Sequence, residues 1–235
     1  FTAEYSGVAN IRIETKRGGA DYHGSLFYNN KNSALAAWTI QDKIDQADLF
    51  IVLDTVQFKK NEWQNRNRIR TADGCQWITV PVLHHFGQLV KEVRINQAVT
   101  WRSQHLRAIE MHYARAPFRD RYMPALHSLY ETPWERLHDL NMAVIHWVLR
   151  AFGITTPVRC ASEWDVREGP TDRLIDLCHA VGATDYLSGP GGEHYLDRAR
   201  FESSGVRLEI QRFQHPVYQQ VYDPFMPAMS AIDLL

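Results

Sequence analysis

Apolar and polar positions alternate along this chain with two different periods. Leu49 to Leu53 is a continuous apolar run that stops at Asp54, which suits a strand buried on both faces of a parallel sheet. Pro157 to Ala161 and Asp185 to Leu187 are further short strands, and Val206 to Phe213 alternates as a strand does. Asn67 to Thr71 and Cys75 to Val82 flank Asp73-Gly74, a strong hairpin signal, and Lys91 to Ile95 alternates as one more strand. Between these lie stretches of helical period. Thr100 caps a helix to about Ala114 with Trp101, His105, Ile109 and either His112 or Tyr113 on one face. Phe118, Tyr122, Leu126 and Leu129 form a second stripe. Thr132-Pro133-Trp134-Glu135 is a capping box that opens a long helix with Leu137, Leu140, Val144, Ile145, Val148 and Phe152 buried and Gly153 at its end. Thr171 caps a helix through Ala180 stopped by Gly182, another helix starts at about Glu193, and Ser230 caps the last. Strands alternating with helices predict an α/β fold: a largely parallel sheet with flanking helices, a β-hairpin after the Leu49 strand, and a helical insertion over about 100–153.

The first 42 residues have a different character. Val8 to Thr15 alternates, Arg17-Gly18-Gly19-Ala20 is a turn and Tyr22 to Tyr28 is aromatic-rich, which predicts a hairpin. Ser33 then caps a helix through about Gln46, with Leu35, Trp38, Ile40 and Ile44 as its apolar face.

Composition narrows the partners. With 235 residues and 45% hydrophobic content there is enough chain for a sizeable core. Basic and acidic side chains number 26 and 27, so no overall field favours nucleic acid or an anionic membrane. Cys75, Cys160 and Cys178 are odd in number, widely spaced and without a C-x-x-C pair, which argues against a disulfide scaffold or a zinc knuckle and fits a reducing cytoplasm. No window approaches 18 consecutive apolar residues and no signal-peptide pattern opens the chain.

Polar chemistry concentrates where the Leu49 strand stops. In open α/β sheets the ligand crevice lies beyond the carboxyl ends of the strands, which puts Asp54 and Gln57 at the expected place. Trp63, Gln64, Asn65, Arg66, Asn67 and Arg68 follow. Amides donate and accept together, guanidinium groups grip carboxylate or phosphate, and an indole offers a sugar ring a flat face, a mixture suited to a polyhydroxylated or anionic small molecule. The same amides could equally satisfy their own turns. A second constellation is Ser188-Gly189-Pro190-Gly191-Gly192, a glycine-rich turn between strand and helix whose N–H groups suit an anion, although it matches neither the Walker nor the dinucleotide pattern and is also compatible with a tight β-to-α turn. Tyr195 and Asp197 follow one turn into the next helix, where Asp197 either accepts from a sugar hydroxyl or caps the helix. His215, beside Pro216, belongs at a strand end or in a loop, where it can move protons or orient a turn. His105 and His112 lack an acidic partner at metal-ligand spacing, so no metal and no cofactor is expected.

Several separated motifs share one resemblance. Asp54-x-x-Gln57-Phe58, Trp63-Gln64-Asn65-Arg66-Asn67, Trp77-Ile78-Thr79-Val80-Pro81-Val82, Trp101 with His105, Tyr113 with Ala116-Pro117-Phe118, Tyr186-Leu187-Ser188-Gly189, Tyr195-Leu196-Asp197, His215-Pro216-Val217-Tyr218-x-Gln220 and Ser230 to Leu235 together resemble the WbqC-like family over about residues 43–235. The resemblance singles out Trp101 and His105, adds Tyr218 and Gln220, and implies a place in O-antigen or other surface polysaccharide gene clusters, with glycyl or related acyl transfer to a sugar as the suggested chemistry. Phe1 to Tyr5, Asn10 to Lys16, His23-Gly24-Ser25-Leu26-Phe27 and Asn32 instead resemble the plug-to-barrel join of TonB-dependent outer-membrane receptors. Residues 1–42 are therefore expected to be a foreign segment standing where the family's His-Gln-Pro opening strand normally lies, unless Val8 to Thr15 or Tyr22 to Tyr28 substitutes for that strand. The chain opens at Phe1 rather than methionine and stops at Leu235 where the family runs a little further, so it is read as clipped at both ends.

The expected function is a cytoplasmic transferase that places a glycyl or other small acyl group on an amino sugar or nucleotide sugar. His105 or His215 would act as general base, Arg66 and Arg68 with the Gly189 to Gly192 loop would hold anionic groups, and Asp54, Gln57 and Asn65 would fix hydroxyls. The competing expectations are a module that binds a nucleotide sugar or an amino acid without turning it over, and an inactive chimeric remnant.

Overall fold

The computed structural model describes residues 8–11, 25–29, 47–212 and 217–235. In chain order the strands are β1 Val8–Ile11, β2 Ser25–Asn29, β3 Leu49–Val52, β4 Arg66–Thr71, β5 Gly74–Thr79, β6 Val82–Leu83, β7 Arg94–Ile95, β8 Val158–Cys160, β9 Asp185–Ser188 and β10 Arg207–Ile210. The described α-helices are α1 Trp101–His112, α2 Arg119–Glu131, α3 Leu137–Ala151, α4 Asp172–Ala180 and α5 Arg198–Ser203. The fold is mixed α/β, and its described residues form two compact units. One holds 8–11, 25–29, 47–55 and 154–212, and the other holds 56–153 and 217–235.

The first unit is built on a six-stranded sheet of order β10-β9-β1-β2-β3-β8. Pairing is parallel between β10 and β9, β9 and β2, β2 and β3, and β3 and β8, while β1 runs antiparallel to β2 and β9. The antiparallel β1–β2 pair agrees with the expected strands near the start of the chain, whose turn at 17–20 lies outside the described residues, and β2 takes a ladder position between β3 and β9. Phe50, Ile51 and Leu53 are buried, as a strand with neighbours on both edges and cover on both faces requires. Helix α4 buries Leu174, Ile175, Leu177 and Cys178 at helical spacing, and Phe201 of α5 stacks on Tyr186 of β9 with ring centres 5.1 Å apart. The helix expected from about Glu193 does not form there. Pro190–His194 is a 3-10 turn, and α5 begins after Asp197, whose carboxylate accepts from the Arg200 amide at 3.1 Å. Gly191 and Gly192 follow Pro190, and two glycines in succession are poor helix formers.

The second unit carries two antiparallel ribbons and three helices. Strands β4 and β5 pair from Arg66 opposite Thr79 to Thr71 opposite Gly74, and Gly74 takes φ +138°, a conformation that side chains resist. Lys91 to Ile95 is not one strand. Val90–Glu92 is a 3-10 turn and only Arg94–Ile95 pairs, because Val90 and Val93 both enter the core and a three-residue spacing aims them the same way. The Thr132 capping box also fails to form. Thr132 Oγ1 donates back to the Ser128 carbonyl at 2.8 Å, the Ile95 and Leu137 amides bond the Glu135 and Val93 carbonyls, and α3 starts only at Leu137. Phe118 precedes α2 and is exposed, so the buried residues of that helix are Met123 and Leu126. In α3 Trp147 and Leu149 join Leu137, Leu140, Ile145 and Val148 inside, whereas Val144 and Phe152 are half-buried. Phe58, Val90, Val93, Ile95, Trp101, Leu137 and Leu140 form one cluster that fixes the ribbons to α1 and α3. None of the helices among the described residues is long and apolar enough to cross a membrane.

Candidate functional site

The loop before β4 is held by its own amides. Gln64 Oε1 accepts from the Lys59 amide at 2.8 Å and Asn65 Oδ1 from the Asn61 amide at 3.1 Å, while Asn65 Nδ2 donates to the Val80 carbonyl at 3.0 Å. These bonds strap the loop to the end of β5 and bury both side chains. Period-two alternation along β4 then turns Asn67 and Ile69 inward. Arg66 and Arg68 remain with the aromatics of the hairpin: the Arg66 guanidinium lies 4.3 Å from the Trp77 ring centre, Arg68 lies 5.5 Å from Trp63, and the two indoles are 5.2 Å apart. Arg68 also donates to the carbonyls of Pro227 and Ala228.

Behind this hairpin lies a cavity of about 60 Å³ within a recess of about 700 Å³ that includes its open mouth. Trp63, Gln64, Asn65, Arg66 and Asn67 border it, together with Trp101 and His105 of α1, Tyr130 of α2 and Asn141 of α3. Among the described residues eight aliphatic side chains complete the wall and no acidic side chain lines it. Seven residues predicted separately from sequence therefore meet around one space. Helix α1 brings two of them because Trp101 and His105 are four apart on its buried face. Tyr130 and Asn141 escaped the sequence reading, although Asn141 carried a signal: it interrupts the apolar run Leu137, Val144, Val148 with an amide on the same helical face.

His105 is 7% exposed and held by two bonds. The Thr79 carbonyl can only accept, so the ring proton sits on Nε2, which donates to it at 3.1 Å. Nδ1 is then the acceptor and faces the Tyr130 hydroxyl at 3.4 Å. Burial lowers the His105 pKa from 6.5 to about 4, with the Thr79 bond opposing that shift in part. The imidazole is thus neutral at physiological pH. Trp101, His105 and Tyr130 pack ring against ring with centres 5.3 to 5.8 Å apart, and burial holds the Tyr130 hydroxyl well above the ordinary phenol range.

Tyr218 and Gln220 belong to a different cluster. Both donate to Asp233 Oδ2, at 2.7 and 2.6 Å, while Tyr113 donates to Oδ1 at 2.9 Å and accepts from the Arg70 amide. Arg70 is buried, and its guanidinium donates to the carbonyls of Thr71, Gly74, Tyr222 and Pro224. Burial pushes the Asp233 carboxyl above the usual range, against the three donated bonds and the Arg70 charge. This network ties the C-terminal segment to β4 and β5. Gln57 is exposed, and its backbone bridges to Leu89.

The remaining predicted residues lie in the other unit. Asp54, just past β3, accepts from the Ser162 amide at 2.9 Å and from the Ser162 hydroxyl. Ser188 is fully buried and donates to the Gly189 carbonyl at 3.0 Å. Gly192 donates its amide to Gly189, and a side chain at Gly192 would place Cβ 1.9 Å from Ser188 Oγ, which accounts for that glycine by packing. Gly191 is half-buried in the same turn. Burial raises the Tyr195 hydroxyl to about 12, and Asp197 caps α5. His215 lies outside the described residues.

Comparison with known proteins places the chain in a class and beside one relative. The WbqC-like protein family matches residues 41–235, and the chain belongs to that family. The chain is 36% identical over 200 residues to the uncharacterized protein Rv1507c of Mycobacterium tuberculosis, an alignment covering 83% of this chain and 85% of that one. No solved structure matches the chain.

Proposed function

We propose that the second unit is the working part of a transferase of surface polysaccharide biosynthesis that moves a glycyl or other small acyl group onto the amino group of an amino sugar or nucleotide sugar. The cavity carries this reading. At roughly 15 Å³ for each water-sized group, about 60 Å³ suits about four non-hydrogen atoms, the size of a short acyl group. The surrounding recess falls within the range of small-molecule sites and leaves room for the larger part of a substrate. Arg66 and Arg68, stacked on Trp77 and Trp63, offer cationic and flat aromatic surface to a phosphate and a sugar ring at its edge.

In the reaction the acceptor nitrogen attacks the acyl carbonyl carbon. A C–N bond forms, the bond from that carbon to the donor's leaving group breaks with its electron pair going to the leaving group, and His105 Nδ1 takes the proton shed by nitrogen. Its neutral state keeps Nδ1 competent at physiological pH, and the Thr79 carbonyl supports the imidazolium that results. Cys75, Cys160 and Cys178, widely spaced and odd in number, fit a reducing cytoplasm. The family match begins at residue 41, which supports residues 1–42 as a segment of other origin, resembling a TonB-dependent receptor, that lends β1 and β2 to the sheet.

A second reading, a module that binds without turnover, is favoured by the low basicity of a histidine with a pKa of about 4. The full chain should be incubated with activated acyl and aminoacyl thioesters and a panel of nucleotide amino sugars, with product mass and the thermal midpoint both followed. Product from wild type, and its loss in His105→Gln with the ligand-induced midpoint shift retained, supports transfer. A midpoint shift without product for any donor refutes transfer in favour of binding.

A further inference from the structure

Among the described residues, two side chains that border the cavity keep a buried donor without a partner, Arg66 at Nε and Asn67 at Nδ2. Both ends of the Asn65 amide are engaged, Asn141 Nδ2 donates to the Gln64 carbonyl, and His105 Nε2 donates to Thr79. Asn67 differs. It is 1% exposed, it borders the cavity, and its Oδ1 accepts from the Arg68 amide at 2.7 Å. A backbone N–H can only donate, so the orientation of the amide is settled by chemistry and the remaining end is Nδ2. That Nδ2 is buried and has no hydrogen-bond partner among the described residues.

A buried donor without an acceptor is destabilising, and native proteins rarely keep one unless something else fills the place. The space beside it takes about four non-hydrogen atoms, its wall is mostly aliphatic, and the charged side chain that borders it is the cation Arg66. An ammonium group brought there meets no carboxylate among the described residues and has Arg66 beside it, and a carboxylate meets aliphatic carbon on most sides, with the one bordering cation, Arg66, lying over the Trp77 ring at 4.3 Å. A carbonyl oxygen on a short alkyl chain satisfies Asn67 Nδ2 and leaves every other bond in place. We infer that the cavity is a pocket for an uncharged alkyl acyl group such as acetyl or propionyl, with its carbonyl oxygen accepting from Asn67 Nδ2. This rests on the acyl-transfer reading and narrows it: the charged glycyl group is disfavoured, and Asn67 is the residue that sets the choice.

The test uses the full chain labelled with nitrogen-15 and titrated with propionamide, propionate, propylamine and glycinamide at neutral pH, with the Asn67 side-chain amide followed by NMR. Propionamide should move the Asn67 Nδ2 resonances and bind more tightly than the three charged probes. Asn67→Leu should weaken propionamide by roughly three- to tenfold, the loss of one hydrogen bond. Because that change also removes the acceptor for the Arg68 amide, a second variant is needed. Val144→Phe fills the cavity from α3, leaves Asn67 intact, and should abolish propionamide binding. Glycinamide or propionate binding as tightly as propionamide overturns the inference, as does propionamide that leaves Asn67 unmoved. In transfer assays a preference for glycyl over propionyl donors overturns the inference while sustaining acyl transfer. Propionamide binding at Asn67 with no transfer from any donor sustains the pocket and refutes the reaction.

Discussion

Lowering the pH should destabilise this protein through one residue. His105 is neutral in the folded chain down to a pKa of about 4, whereas the unfolded chain takes up the same proton at about 6.5. Protons therefore favour the unfolded state between those values. The sign follows: the contribution is complete above about pH 6.5, declines as pH falls, and is gone below about 4. One proton is worth about 1.4 kcal/mol per pH unit, so His105 alone removes about 1.4 kcal/mol at pH 5.5 and about 3 kcal/mol by pH 4. Urea unfolding of wild type and of His105→Gln at a series of pH values isolates the effect, because contributions of other groups such as Asp233 cancel in the difference. That difference should shrink steadily from pH 6.5 to 4. A flat difference, or an NMR titration of the His105 ring centred near 6.5, would show that the ring is not desolvated as described. The same shift has a functional face: if Nδ1 is the base, the acidic limb of kcat/KM falls near pH 4 rather than near 6.5.

Removing the Asp233 carboxylate in Asp233→Ala strands the donors of Tyr113, Tyr218 and Gln220 and should cost about 3 kcal/mol, seen as a lower urea midpoint with an unchanged slope. A loss under about 1 kcal/mol would mean that those donors find water. Gly192→Ala should cost about 2 kcal/mol because its new Cβ falls 1.9 Å from Ser188 Oγ, and adding Ser188→Ala should restore part of the thermal midpoint. Absence of any rescue would locate the strain elsewhere. Thiol labelling of the native chain at pH 8 should reach exposed Cys75 first and Cys160 slowly, since burial and then the Asp54 and Glu163 carboxylates push Cys160 up to about 11, with Cys178 modified only on unfolding. Fast labelling of Cys178 would contradict its place in the core.

What the sequence determined by itself is what depends on neighbours along the chain. The Leu49 strand, the Asp73-Gly74 hairpin, the α1 face of Trp101, His105 and Ile109, and the glycine ends of α3 and α4 all follow from local periodicity and backbone permissiveness. Tertiary structure decided everything that depended on where a polar group finds its partner. The Thr132 box gave way because the Glu135 carbonyl accepts from the Ile95 amide and the Leu137 amide donates to the Val93 carbonyl, and the glycine turn after β9 became packing against Ser188. It also separated residues that looked alike on the page. Asn65 and Asn67 stand two apart in the same motif, yet Asn65 ties down a loop with both ends of its amide, while Asn67 is left with a free donor at a cavity. The pattern of side chains records which groups are available, and only the fold determines which of them are satisfied, because hydrogen bonding at buried sites is decided by atoms far apart in the chain.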